Sequence, residues 1–238
     1  MTGDMVAHGN GRNTDMPDRI TIPFTQIQMG RFLFLLLFLL LVFFTRPFLL
    51  SLPGFVLLMD LLFSALLISG VFASRNRPGW FRFLASLAVL TLLSLWTNEL
   101  AALSFLRTLG LIGGALFMGL LAVMLVAHLF AQREISFDLI TGSICGYLLA
   151  GQFWAFLYAL LETFSPGAIG SVDAAGKDLF YYSYFSYVTL TTLGYGDISP
   201  VSPTAQSLAT LEAIFGQLYV AIIVARLVGL QVSQSMER

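Results

Sequence analysis

"TTLGYGD", residues 191–197, holds two glycines, three threonine or acid groups and little bulk. It follows an aromatic run, "DLFYYSYFSYVTL" (178–190), and precedes a long apolar segment that begins at Pro203. The surrounding chain is strongly hydrophobic: of 238 residues, 58% are apolar and 11% are charged, with a mean hydropathy of +0.86. A soluble domain of that length would need far more polar surface. Several apolar runs approach or exceed the ~20 residues that cross a bilayer. The chain reads as an all-α membrane protein. Non-helical backbone at membrane depth is tolerated only inside protein or along a water-filled cavity, so the short stretch needs a reason.

Working outward, the pattern gives six membrane-crossing segments, at about 30–45, 54–73, 80–97, 108–131, 138–162 and 203–230. The first is expected to end before Pro47, and Pro47, Pro53 and Gly54 fit a tight turn into the second. Residues 1–29 are polar and read as a disordered tail, without the cleavage pattern of a signal peptide. Segments 30–131 form a four-helix peripheral bundle, 138–230 a second unit, and 231–238 a short tail. A net charge of -1 carries no nucleic-acid footprint. Cys145 is the one cysteine and lies in an apolar run, where a thiol packs as a small hydrophobe.

The loops set the orientation. Arg12, Arg19 and Arg31 precede the first span, Arg75, Arg77 and Arg82 cluster between the second and third, and Arg133 lies between the fourth and fifth. With alternating spans these share one side, the cytoplasmic one, and both termini are expected there. Arg46 and Arg107 fall on the other side as a minority. The connection between spans 5 and 6 then opens outward. It is about 40 residues long, where helix connections in bundles take about 2–8. Its turn-rich start, "SPGAIGSVDAAGK" (165–177), leads into the aromatic run with Asp178 as N-cap. That run is too short to span and reads as a re-entrant pore helix. After residues 191–197, Ser202 caps the last span and Pro203 takes its first helical position.

A short helix that dips in and returns through Thr192-Leu193-Gly194-Tyr195-Gly196 meets the membrane rule if it lines a pore. Gly194 and Gly196 adopt positive φ without steric cost, and alternating backbone handedness aims successive carbonyls at one axis. Rings of carbonyl oxygens replace the hydration shell of a dehydrated cation. The Thr192 hydroxyl adds one more ring.

On these residues the sequence resembles the potassium channel family, whose filter signature TVGYG stands here as TLGYG at 192–196, followed by Asp197. The resemblance extends over about 138–230. It implies a pore domain of outer helix, pore helix, filter and inner helix, with Thr192, Leu193, Gly194, Tyr195 and Gly196 coordinating the permeating K+. It implies passive K+ conduction through a homotetramer in the cell membrane, since each chain carries one filter, with no further metal and no cofactor. Leu193 replaces the usual Val. Tyr184 and Phe185 stand where the family often has paired Trp, and Val188 where some members have a buttressing Glu. Tyr184 is expected to offer its hydroxyl to Asp197. Glu162 matches a Glu that ties the fifth span to the pore, or is a solvated charge at the mouth. Gly216 is a hinge of the inner helix or a close-packing glycine. Gln217, Val220 and Val224 share a face that lines the cavity in the family, with Val228 a turn lower as a constriction.

Three more polar residues sit within apolar spans. Glu212 is an intramembrane acid and hence a functional candidate, or a protonated or hydrogen-bonded carboxyl behind the filter. Asp60 is expected to pair with Arg107. His128 reads as a packed histidine, since no second ligand is spaced to join it. The fourth span lacks the repeated Arg or Lys of a voltage sensor, so gating by voltage is not expected. The alternatives are a cation transporter subunit, a non-conducting regulatory membrane subunit, or a membrane enzyme. The first would carry several degenerate pore repeats, and the last would cluster His, Asp, Glu or Ser at one bilayer face. The chain has one intact pore motif and two histidines.

Overall fold

A computed structural model of the chain describes residues 32–49, 54–75, 78–101, 104–171 and 177–236. The expected N-terminal tail, with Arg12, Arg19 and Arg31, lies outside these residues, as do Pro53 and Arg77. Among the described residues seven helices carry the fold: α1 (Leu33–Leu49), α2 (Phe55–Ala73), α3 (Pro78–Ala101), α4 (Ser104–Ala131), α5 (Phe137–Phe164), α6 (Leu179–Leu190) and α7 (Pro203–Met236). Among the described residues, three helices hold stretches long and apolar enough to cross a membrane: Phe105–Ala131, Phe137–Phe164 and Pro203–Met236. Leu33–Thr45, Leu57–Ala73 and Gly79–Ser94 are apolar but shorter.

Local chemistry explains the boundaries. Ser136 caps α5, its hydroxyl accepting from the Leu139 amide at 3.1 Å. Asp178 caps α6 by accepting from the Tyr181 amide at 3.1 Å. Ser202 accepts from the Ala205 amide at 3.1 Å, with Pro203 opening α7. Each cap satisfies one of the amides that a helix start leaves unpaired. α1 corrects the sequence reading: it runs past Pro47 to Leu49. A proline removes one intrahelical bond, and here only the final turn loses it.

The helices pack in chain order, α1 on α2, α2 on α3, α3 on α4 and α4 on α5, with α1 closing onto α5. Their shared core includes Leu35, Leu66, Leu67, Phe117, Met118, Leu121, Leu125, Leu149 and Phe156. Apolar faces between helices give no hydrophobic driving force against lipid, so shape and hydrogen bonds hold such a bundle. Cys145 is buried there, its thiol 3.5 Å from the Phe32 carbonyl. His128 packs against the Phe32 ring and lies 3.0 Å from the Gln132 amide nitrogen. Asp60 and Arg107 line separate cavities.

The helical reading misses one element. Strand β1 (Ile169–Ser171) pairs antiparallel with β2 (Ile198–Pro200), in register Ile169 to Pro200. This ribbon joins the loop after α5 to the segment after residues 191–197. The α6 helix sits between α5 and α7, with Tyr158, Ile169, Tyr182, Phe185, Ala205 and Ala209 forming a second core around it.

Candidate functional site

The site begins where α6 ends. The amides of Thr192, Leu193 and Gly194 turn back onto α6, donating to Thr189 O at 2.9 Å and to Val188 O at 2.9 and 3.3 Å. Every peptide bond described is trans. In a trans peptide the carbonyl opposes the following N–H, so the carbonyls of Thr191, Thr192 and Leu193 point away from α6. Positive φ recurs at every second position: Thr192 at 57°, Gly194 at 57° and Gly196 at 80°. Two of these are glycines, for which that conformation is free of Cβ strain. Thr192 is β-branched, and a positive φ there is rare. The whole of 191–197 is exposed, Leu193 to 55% and Tyr195 to 66%.

Thr192 is met from below. The Gln217 side-chain amide on α7 donates to its hydroxyl at 3.2 Å. Val220 and Val224 follow along α7, both exposed, and Val228 is exposed beyond them. Above, the Tyr184 hydroxyl donates to Asp197 Oδ2 at 2.8 Å. That bond links the middle of α6 to the residue that ends the motif.

Behind the motif lies a polar lattice between α5, α6 and α7. The Gln152 amide donates to the Tyr187 hydroxyl at 3.2 Å, which donates to Leu148 O at 2.8 Å. The Ser183 hydroxyl lies 3.3 Å from Gln152 Oε1, and the Tyr147 hydroxyl donates to Leu190 O at 3.2 Å. Glu212 is fully buried, with the Tyr158 and Ser186 hydroxyls each 2.5 Å from its carboxyl. Gly216, four residues on, lies so close to α6 that a Cβ there would collide with the Leu190 carbonyl. The structure therefore gives Gly216 a packing reason, in a helix that runs unbroken from Pro203 to Met236.

Glu162 ties together the segments that follow α5. Its carboxylate accepts from the amides of Gly167 at 2.9 Å and Ile169 at 3.1 Å. It also pairs with Lys177 at 2.7 Å, and the same ammonium donates to Ile169 O at 2.7 Å. The end of α5, strand β1 and the approach to α6 thus meet on one ion pair.

Sequence reasoning missed Ser186, Tyr158, Gln152 and Lys177 as parts of this framework. The available signal was polar side chains within apolar helices, since buried polar groups must find partners. It also missed Arg226. That guanidinium lies over the Phe130 ring at 4.8 Å and donates to the carbonyls of Leu129, Phe130 and Gln132 at 3.1, 2.8 and 2.6 Å. Those carbonyls close the C-terminal end of α4, where a cation is favoured.

Residues 139–231, which take in nearly all of α5 and the whole of α6 and most of α7, match the family model described as "Ion channel". No curated protein and no solved structure matched the chain. The match and the apolar helices together support a membrane protein with an ion channel domain over residues 139–231.

Proposed function

We propose that this protein is a potassium-selective channel that passes K+ passively through a fourfold pore of identical chains. The observation that carries the reading is the alternation of positive φ at Thr192, Gly194 and Gly196, together with carbonyls turned away from α6. One chain supplies a quarter of each oxygen ring, and four copies close it around a dehydrated cation. In this reading α6 is the re-entrant pore helix. Its 12 residues reach about 18 Å, which is too short for a hydrocarbon core of about 30 Å.

Roles follow for the surrounding residues. Thr192 to Gly196 coordinate the ion, Tyr184, Asp197 and Glu162 hold the filter from outside, and Gln217, Val220 and Val224 line the cavity. Gly216 sets the approach of α7 to α6, and a hinge there remains compatible with that approach. α1 to α4 form a peripheral bundle, giving six spans with both termini cytoplasmic. K+ is the cargo, and lipid surrounds the assembly.

The test is ion flux from liposomes holding the purified full-length chain. K+ flux is expected to exceed Na+ flux by orders of magnitude, and equal fluxes of the two ions would overturn the reading.

A further inference from the structure

Two rungs hold α7 against α6. On α7, Glu212 and Gly216 are four residues apart and share a face. On α6, their partners Ser186 and Leu190 are also four apart. The Gly216 rung is steric, with the Leu190 carbonyl filling the space of a Cβ. The Glu212 rung is polar, and its protons can be counted.

Ser186 Oγ stands 2.5 Å from Glu212 Oε1 and 2.7 Å from the carbonyl oxygen of Gly151 on α5. A serine hydroxyl has one proton to donate. If Glu212 is a carboxylate, both neighbours are pure acceptors, and one close oxygen pair has no hydrogen between its members. A proton on Oε1 closes the count. Glu212 then donates to Ser186, Ser186 donates to Gly151, and Tyr158 donates to Glu212 Oε2, with that last pair 2.5 Å apart.

The surroundings favour the same state. Glu212, Ser186 and Tyr158 are all fully buried. The titratable groups that face Glu212 are phenols, Tyr147 and Tyr158 from α5 and Tyr187 from α6. Among the described residues no ion pair engages it, and a buried charge without a counter-charge is costly. We infer that Glu212 is a neutral carboxylic acid whose proton ties α7 to α6 and, through Ser186, to α5. It is a positioning residue: it fixes the height of the helix whose end carries Thr192 to Gly196. As a role in holding the filter, this rests on the channel reading.

Glutamine separates the alternatives. The carboxamide of Glu212→Gln can donate to Ser186 and accept from Tyr158, as a neutral acid does, and it cannot imitate a carboxylate. Glu212→Ala leaves both hydroxyls facing a gap. Potassium flux and the thermal stability of the assembled protein are measured for both variants. Glu212→Gln is expected to match the parent, and Glu212→Ala to lose about tenfold or more in flux, because buried donors lose their partner. Infrared spectra at neutral pH of the parent and Glu212→Gln read the proton directly, without flux. A protonated-carboxyl band present in the parent and missing from the variant is expected. The inference is overturned if that band is absent, if Glu212→Gln fails as Glu212→Ala does, or if Glu212→Ala matches the parent. A parent that passes Na+ as well as K+ sinks the channel reading instead, and the infrared comparison still decides the state of Glu212.

Discussion

α5 and α7 are both long enough and apolar enough to cross a membrane, yet their own chain treats them differently. In α5, 56% of the most apolar window is buried; in α7, 6% is. The first helix is packed by α4, α6 and α1. The second offers its chain a narrow stripe, Ala205, Ala209, Glu212, Gly216 and Ile223, spaced as one helical face. Leu211, Ile214, Leu218, Val220, Val224 and Val228 stay exposed around it. The exposed backbone of 191–197 continues that bare side. A helix packed on several sides by its own chain thus lies beside one whose apolar surface finds few partners there.

Gly216→Val strikes the stripe and carries the largest expected effect. Its side chain would meet the backbone of Leu190, which cannot rotate aside as a flexible side chain can. Overpacking of this kind costs about 1–3 kcal/mol or more, and here it pushes α7 away from α6, the helix that leads into residues 191–197. If four chains form the pore as proposed, light scattering in mild detergent should show loss of that fourfold species, with K+ flux lost alongside. Retained assembly and flux would mean that α7 does not depend on this approach.

Val228→Cys tests what covers the bare side. If Val228 lines an aqueous path, a membrane-impermeant thiol reagent applied from the cytoplasmic side should label the new cysteine and block flux. Cys145 is buried, so the parent supplies a low background. A cysteine that resists the hydrophilic reagent and reacts only with a lipid-soluble one would place this face toward lipid.

Tyr184→Phe is gentler. It removes the donor to Asp197 and leaves the ring. A hydrogen bond to a charged group is worth about 1.5–3 kcal/mol at most, and this one is open to solvent, between a half-buried Tyr184 and an exposed Asp197, which lowers that value. Sustained K+ currents should decay faster while initial selectivity holds. Unchanged decay would show that this bond does not brace the filter.

The two regions were also unequally legible in the sequence. TLGYG declares its backbone because its glycines admit positive φ, and the caps at Asp178 and Ser202 follow from side chains that reach only local amides. Helix ends were less readable: α1 runs past Pro47 because a proline in a last turn costs a single bond. The polar lattice could not be read, since pairing Ser186 with Glu212 or Gln152 with Tyr187 depends on how three helices face one another. Lone polar residues announce only that a partner exists. The ribbon of β1 and β2 joins segments about 30 residues apart in the chain, and neither segment alternates long enough to suggest a strand.

The smallest expected effect concerns voltage, and it sharpens the contrast from the side of the bundle. A voltage sensor moves charge through the membrane field. One elementary charge is worth about 2.3 kcal/mol per 100 mV, and steep gating takes about 3–4 charges per subunit. From Thr108 to Gln132, α4 and its end contain no Arg or Lys. Arg107, in the first turn of α4, and Arg133, just past its end, flank this stretch. α4 is also fastened at its C-terminal end, where Arg226 of α7 holds the carbonyls of Leu129, Phe130 and Gln132. A helix whose one arginine, Arg107, lies in its first turn, and which is tied to its neighbour, gives the field almost nothing to move. Open probability in symmetric K+ should therefore be nearly flat across the physiological voltage range. Patch recordings that show a steep sigmoid, with an effective gating charge of several units per assembly, would mean that charge elsewhere in the protein crosses the field and that α4 is not the helix to examine.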